Sequence, residues 1–288
     1  MKKLTALMLS SAMMLSLAAC GGSASTETVS SEAASSEAAS SEAVSTEEAA
    51  SADAAALTTV NAGKLTMSTN AAFPPYEMTT DTGDFEGIDI EVAGAIAEKL
   101  GLELQVDDMD FDAALLAAQN GKSDMVMAGV TVTEERQKVM DFSDSYATGV
   151  QVVIVKEDSP IASVDDLSNA EMIGCQKATT GYIYCSDTVE NGGYGEDHVT
   201  AYDSGATAVM ALVNGQVDAV VIDNEPAKAF VAANPGLKIL DTEFAVEDYA
   251  IGLKKGNTEL LNAINAAMAE LKADGTFQSI VDKYITAE

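Results

Sequence analysis

The pattern Asn-Gly-x-x-Asp-x-Val occurs twice in this chain, as Asn120-Gly121-Lys122-Ser123-Asp124-Met125-Val126 and as Asn214-Gly215-Gln216-Val217-Asp218-Ala219-Val220. Each copy follows an Ala/Leu-rich stretch and runs into a short apolar segment. The physical reading is a helix closed by a left-handed glycine, then a buried parallel strand. Two copies in the same helix-to-strand context predict two lobes built on similar plans. In open α/β sheets, ligands bind beyond the carboxyl ends of the strands. Those ends are Gly129-Val130-Thr131 after the first copy and Asp223-Asn224 after the second. Gly129 and Asp223 fall at equal offsets from Asp124 and Asp218, so facing lobes would set them across one cleft.

Strand and helix patterns alternate on both sides of the repeat. Strands are expected at 64–69, 102–106, 125–128, 151–155, 172–175 and 219–222. Helices are expected at 88–100, 111–120, 133–140, 180–189, 206–214 and 225–233. Such alternation predicts an α/β fold, with parallel sheets flanked by helices.

The N-terminal fifth of the chain has a different character. Lys2 and Lys3 precede an apolar and small-residue run from Leu4 to Ala19, about the length of a signal segment and short for a bilayer span. It ends in Leu17-Ala18-Ala19-Cys20, which looks like a lipobox with Cys20 as the acylated residue. Residues 21–56 repeat Ser-Ser-Glu-Ala-Ala from Ser30 onward, and no Lys or Arg stands between Lys3 and Lys64. A polar, like-charged tract cannot bury enough apolar surface to offset its ordering entropy, so a disordered tether is expected there. The whole chain has 15 basic and 46 acidic residues, a net charge of −31, which argues against a nucleic-acid partner. Beyond Cys20 only Cys175 and Cys185 remain, as one bridge or as buried thiols. A single histidine, His198, speaks against a zinc site, and no metal or cofactor is expected.

Several segments, in order, resemble the amino-acid-binding family of bacterial ABC-importer solute receptors (extracellular solute-binding proteins of family 3). They are Asn70-Ala71-Ala72-Phe73-Pro74-Pro75-Tyr76-Glu77, Gly87-Ile88-Asp89-Ile90-Glu91, and Ala128 to Arg136 followed by Asp141-Phe142-Ser143. Thr179-Thr180-Gly181, Val221-Ile222-Asp223, Gly275-Thr276-Phe277 and Lys283-Tyr284 complete the set. The resemblance spans nearly everything from Lys64 to Ile285. It implies a two-lobed, periplasmic-binding-protein-like type II fold, with two parallel or mixed sheets flanked by helices and a two-strand hinge. Lobe 1 would hold residues 57–150 and 252–288, and lobe 2 residues 151–251. Crossings are implied near 148–154 and 248–253, with the C-terminal helices returning to lobe 1.

The resemblance also implies a site. A free amino acid carries a carboxylate and an ammonium, and a site that excludes water must satisfy both. Arg136 suits the carboxylate with its two-pronged donor pair, its alternative being a surface ion pair with Glu134 or Glu135. The main chain of Thr180 can add a donor, its alternative being an N-cap. Asp223 suits the ammonium, with the Gly129 carbonyl and the Thr131 hydroxyl; its alternative is capping the following helix. Phe73 and Phe111 resemble the family's aromatic walls, or else pack in the core, and Tyr76 is expected at the rim or in the core. Asn70 stands where several relatives carry an acid. Gln176 and Ala178 stand where Lys or another residue, and usually Gly, occur. With neither amide charged, a neutral polar amino acid is the expected ligand.

The implied partners are therefore a free L-amino acid, the permease and ATPase subunits of an importer, and the membrane through lipid at Cys20. The protein would be an extracytoplasmic monomer. An enzyme on the same scaffold, dehydrating arogenate or prephenate, would need an acid or base in the cleft. Glu77 and Glu86 are candidates, but carboxylates in loops are expected to be solvated. A surface adhesin or sensor is the other alternative.

Overall fold

The two Asn-Gly segments close helices of equal length: α2 (Phe111–Gln119) and α5 (Gly205–Val213). Gly121 and Gly215 have φ of 68° and 71°, the left-handed turn that lets the chain leave each helix. Lys122 and Gln216 then donate back to the carbonyls of Ala117 and Ala211. The repeated Asp has the same function in both places. Asp124 accepts the main-chain N–H groups of Val60 and Thr66, and Asp218 accepts those of Glu171 and Met172. Each carboxylate thereby ties the end of its own strand to a neighbouring one.

The structure, a computed structural model, describes residues 57–285. Cys20 and the Ser/Glu/Ala tract lie outside the described residues, as do the last three positions.

The first sheet has five strands, ordered β5-β1-β6-β14-β7. These are β1 (Lys64–Thr69), β5 (Glu103–Asp108), β6 (Met125–Val126), β7 (Met140–Phe142) and β14 (Gly252–Lys254). β1 runs parallel to β5 and β6, while β14 is antiparallel to β6 and β7. A small antiparallel sheet of β2 (Ala72–Phe73), β3 (Glu77–Thr79) and β4 (Phe85–Glu86) follows β1. The second sheet holds β8 (Ala147–Lys156), β9 (Ile173–Gln176), β10 (Val199–Tyr202), β11 (Ala219–Asp223) and β12 (Leu237–Ile239). β13 (Ala245–Tyr249) joins it by pairing antiparallel with β8.

Helices cover both faces of each sheet, which explains why β1, β9 and β11 are buried on consecutive positions rather than on alternate ones. In lobe 1, α1 (Ile88–Lys99), α7 (Thr258–Ala273) and α8 (Thr276–Tyr284) share one core with Leu65, Met67 and Ile96. The C-terminal helices pack against α1, and the Tyr284 hydroxyl accepts from the Gly87 N–H at 3.1 Å. The other face packs α2 through Ala114 and Ala118. In lobe 2, α5 and α6 (Asn224–Ala233) cover one face and α4 (Thr180–Ser186) the other. Each large apolar side chain so buried stabilises by about 1.5–3 kcal/mol.

The chain leaves the first sheet after Phe142 and enters β8 at Ala147; it returns through Ala250 and Ile251 into β14. The stretch 148–154, expected as a crossing, lies inside β8. Ala147 pairs with Tyr249 at the start of the two-strand hinge. α4 is shorter than expected, ending at Ser186. The Asp187 side chain accepts from the Thr188 N–H and from Asn191, which stops the helix and leaves 189–191 as a separate turn. The strand expected over 125–128 pairs only at Met125 and Val126, because the chain turns through Gly129 at φ 55°. Both cysteines are buried free thiols in the second lobe's core.

Candidate functional site

The carboxyl ends of β1, β6, β9 and β11 converge on one narrow cavity of about 20 Å³, room for little more than one water-sized sphere. All nine residues expected at the ligand line it: Asn70, Phe73, Phe111, Gly129, Thr131, Arg136, Gln176, Thr180 and Asp223. Glu77, Ala128 and Thr179 join them.

Local structure aims each side chain. The Thr133 hydroxyl accepts from the Arg136 N–H at 3.2 Å and so starts α3 (Glu134–Val139) one turn before the guanidinium is needed. Arg136 makes no surface ion pair with Glu134 or Glu135. Its Nη1 donates to the Thr131 carbonyl at 2.7 Å, and its Nη2 reaches across to the Ala178 carbonyl at 2.9 Å. The guanidinium carbon lies 5.6 Å from the centre of the Phe111 ring, within range of a cation–π contact. Burial pulls its pKa down, opposed by the nearby Glu247 carboxylate.

Phe73 stacks on Tyr76 with centroids 5.8 Å apart and an interplanar angle of 29°. A Cβ on residue 129 would stand 2.8 Å from the Phe73 ring, so this contact and the positive φ both call for glycine. Tyr76 itself is buried in the core and does not line the cavity.

Asp223 occupies the N-cap position of α6, yet its side chain makes no capping bond. It turns into the cavity instead, accepting from Gln151 Nε2 at 2.8 Å and from the Tyr249 hydroxyl. Burial pushes its pKa up to about 7, with the Tyr249 hydrogen bond opposing. Thr180 is not the cap of its helix either. Thr179 is, accepting from the Tyr182 N–H at 3.3 Å, and this leaves the Thr180 hydroxyl free to donate to Glu247 at 2.9 Å.

Glu77 corrects the expectation that loop carboxylates here are solvated. It begins β3, is fully buried, and neither of its oxygens finds a donor among the described residues. Burial raises its pKa well above the carboxylate range, and the adjacent Asp89 carboxyl raises it further. Asp89 is itself pushed up to about 7 by burial, while donors from the Gly129 N–H at 3.1 Å and the Tyr146 hydroxyl at 2.8 Å hold it down. Burial of two neighbouring carboxyls favours the protonated form of Glu77. Glu86, by contrast, is exposed.

Two further contacts close the cleft. Gln176 Nε2 donates to Asn70 Oδ1 at 2.9 Å. Lys177 lies within 3.1 and 3.3 Å of Asp110 and Asp112 in lobe 1 and 2.9 Å of Asp203 in its own lobe. Gln151, Glu247 and Tyr249 are polar groups around this site that the sequence reading left out, and Glu77 entered it only as the candidate acid of the enzyme alternative. Burial along 245–249 alternates and puts Glu247 on the same side as Tyr249, but Ala-Val-Glu-Asp-Tyr carries no such alternation in its residue types.

Residues 65–287 match the sequence model of the bacterial extracellular solute-binding proteins, family 3. The chain is 30% identical over 238 residues to a protein of Neisseria gonorrhoeae described as a probable histidine-binding protein, covering 81% of this chain and 88% of that one. It is 33% identical over 207 residues to the ABC transporter glutamine-binding protein GlnH of Bacillus subtilis (strain 168), covering 71% and 74%. A solved structure of an ancestral arginine-binding protein bound to glutamine superposes with a TM-score of 0.71 at 40% identity, covering 78% of this chain and 99% of that one.

Proposed function

The chain belongs to the bacterial extracellular solute-binding proteins of family 3 and is a binding protein rather than an enzyme; from that premise we propose that it captures a free amino acid by closure of its two lobes and delivers it to an ABC importer. The observation that carries the reading is the pairing of Arg136 and Asp223 in one cavity, on opposite lobes. Arg136 takes the α-carboxylate with the Thr180 main-chain N–H. Asp223 takes the α-ammonium with the Gly129 carbonyl and the Thr131 hydroxyl. A cavity this small admits an amino acid only if the lobes part, and the antiparallel pair β8 and β13 is the element they swing on.

Calorimetry of Arg136→Ala and Asp223→Ala tests the assignment. Either change leaves a buried ligand charge unpaired, at a cost of about 3–5 kcal/mol. Wild-type affinity in Arg136→Ala would remove the central claim.

The ligand's side chain lies against Phe73, Phe111, Asn70 and Gln176, and their uncharged chemistry supports a neutral polar amino acid. Glu77 supports a second reading, a cationic side chain, since its carboxyl lines the cavity without a donor. The relatives named above are described with histidine, glutamine and arginine. The lipobox at Cys20 supports attachment to the cell membrane through lipid, with the Ser/Glu/Ala tract as a tether. Detergent partitioning of wild type and Cys20→Ala checks this; equal release of both into the aqueous phase counts against it.

A further inference from the structure

Glu247 lies on the hinge strand β13, is 7% exposed, and belongs to neither lobe's sequence signature. One of its oxygens, Oε2, accepts three donors: the Thr131 hydroxyl at 3.0 Å, the Thr180 hydroxyl at 2.9 Å and Gln151 Nε2 at 3.2 Å. Thr131 comes from lobe 1 and Thr180 from lobe 2, and both line the cavity. Main-chain bonds hold the hinge strand against the Thr131 segment, from Val132 N to the Asp248 carbonyl and from Ala250 N to the Val130 carbonyl, both at 3.0 Å. Gln151 also donates to Asp223 at 2.8 Å, so one amide group stands between the two carboxylates.

A hydroxyl has a single proton. With that proton committed to Glu247, each threonine can offer the cavity only lone pairs. We propose that Glu247 is a positioning residue for recognition of the ligand's α-nitrogen: it takes both hydroxyl protons and thereby makes the two threonines pure acceptors, which suit an ammonium and repel a group with lone pairs of its own. This rests on the reading of the chain as a free-amino-acid receptor and adds to it. The two threonines join Asp223 in an acceptor set that discriminates –NH3+ from –OH at the α-carbon. All three donors converge on Oε2, a place that an amide oxygen could keep; a methionine at position 247 offers no oxygen, so both hydroxyls would be free to turn their protons toward the ligand.

The test compares Glu247→Met with wild type in calorimetry against the free L-amino acids, each beside its 2-hydroxy acid. Wild type is expected to favour the amino acid strongly. In Glu247→Met the amino-acid to hydroxy-acid affinity ratio should fall at least tenfold, while circular dichroism shows a folded protein. A variant that weakens both ligands equally, or keeps the wild-type ratio, overturns the proposal, because a merely structural residue would behave that way. Should Glu247→Met not fold, Thr131→Val tests the same link from its other end: the ratio should again drop, and equal losses for both ligands overturn the proposal. If wild type binds no amino acid at all, the receptor reading fails and this inference falls with it. Binding in wild type with an unchanged ratio in both variants overturns the inference alone.

Discussion

Gln176 and Asn70, on opposite lobes, bond amide to amide across the cleft, Nε2 to Oδ1 at 2.9 Å. Each amide is anchored in its own lobe as well, Asn70 by donating to the Met109 carbonyl at 2.9 Å and Gln176 by donating to that of Asp203 at 3.3 Å. The bond exists only when the lobes are closed, so it contributes to closure and therefore to ligand affinity. Gln176→Met should weaken binding by about 1–3 kcal/mol, the cost of an amide oxygen left without its donor. Asn70→Ala should cost a similar amount. The double variant should lose little more than either single one, because the two side chains share one interaction. Calorimetry on the four proteins checks it, and fully additive losses would show that the bond does not matter to closure.

Ala178 has φ of 61°, the one positive value at a non-glycine residue among the described residues. Its carbonyl receives the Arg136 guanidinium, which gives the backbone a reason to keep this conformation. A Cβ in the left-handed region costs about 1–2 kcal/mol. Ala178→Gly should therefore stabilise the fold, less the extra chain entropy that glycine brings to the unfolded state. A net gain of about 0.5–1 kcal/mol corresponds to roughly 1–4 °C in melting temperature for a chain of this size. Thermal melts decide the matter, and a lower melting temperature in the glycine variant would contradict the strain argument.

The parts of this protein readable from sequence are those set by short-range rules. The repeated Asn-Gly turn and the apolar strands lie within a few residues of what they control, and they place β11 and the start of β6 correctly. Site residues at strand ends, such as Gly129 and Asp223, followed from the repeat once the two lobes were inferred. What escaped depends on distant contacts. Glu77 looks like a solvated loop acid until the core closes over it beside Asp89, which Tyr146 and Gly129 hold in place. Asp223 looks like a helix cap until Gln151 and Tyr249 claim its oxygens. The strands β12 to β14 were missed because each is short and its pairing partner lies far away in the chain.

Asp223 and Asp89 both have pKa values pushed up to about 7 by burial, against about 3.9 in an unfolded chain. Between those values the folded state binds more protons than the unfolded state. Stability without ligand therefore falls as pH rises through the window from about 4 to about 7, and then levels off. Ligand reverses the dependence, because an ammonium beside Asp223 requires the carboxylate. The melting-temperature increase caused by saturating amino acid should thus be larger at pH 8 than at pH 5. Surface repulsion in so acidic a chain also grows with pH, so Asp223→Asn is the control. That variant should lose part of the slope and most of the ligand effect. Melts at four or five pH values suffice, and a ligand-free melting temperature that climbs from pH 5 to pH 8 would refute the assignment.

The identity of the ligand's side chain turns on three groups: Asn70, Gln176 and Glu77. Both N–H donors of Gln176 are used within the protein, at Asn70 and at the Asp203 carbonyl. Its oxygen is the part of that amide still to be matched, and it calls for a donor. Burial favours the protonated form of Glu77, and in that form the carboxyl can both donate and accept while remaining neutral. A neutral amide or hydroxyl side chain satisfies these groups without adding charge to a buried site. A carboxylate side chain meets acceptors and a second buried carboxyl, so glutamate should bind at least a hundredfold more weakly than glutamine, about 2.7 kcal/mol at 1.36 kcal/mol per tenfold. An arginine or lysine side chain would draw the proton off Glu77, and the gain from that ion pair competes with the cost of ionising a carboxyl beside Asp89. Glutamine, asparagine or serine is therefore expected to lead a calorimetric panel at physiological salt. Glu77→Gln separates the two readings: it should leave the affinity for a neutral ligand within about threefold, since an amide keeps both a donor and an acceptor. It would reduce the affinity for a cationic ligand by at least about tenfold, the loss of one charge partner. Arginine or lysine at the head of the panel by tenfold or more, together with collapse of its binding in Glu77→Gln, would replace the neutral-ligand reading with the cationic one and leave the amino-acid receptor assignment standing.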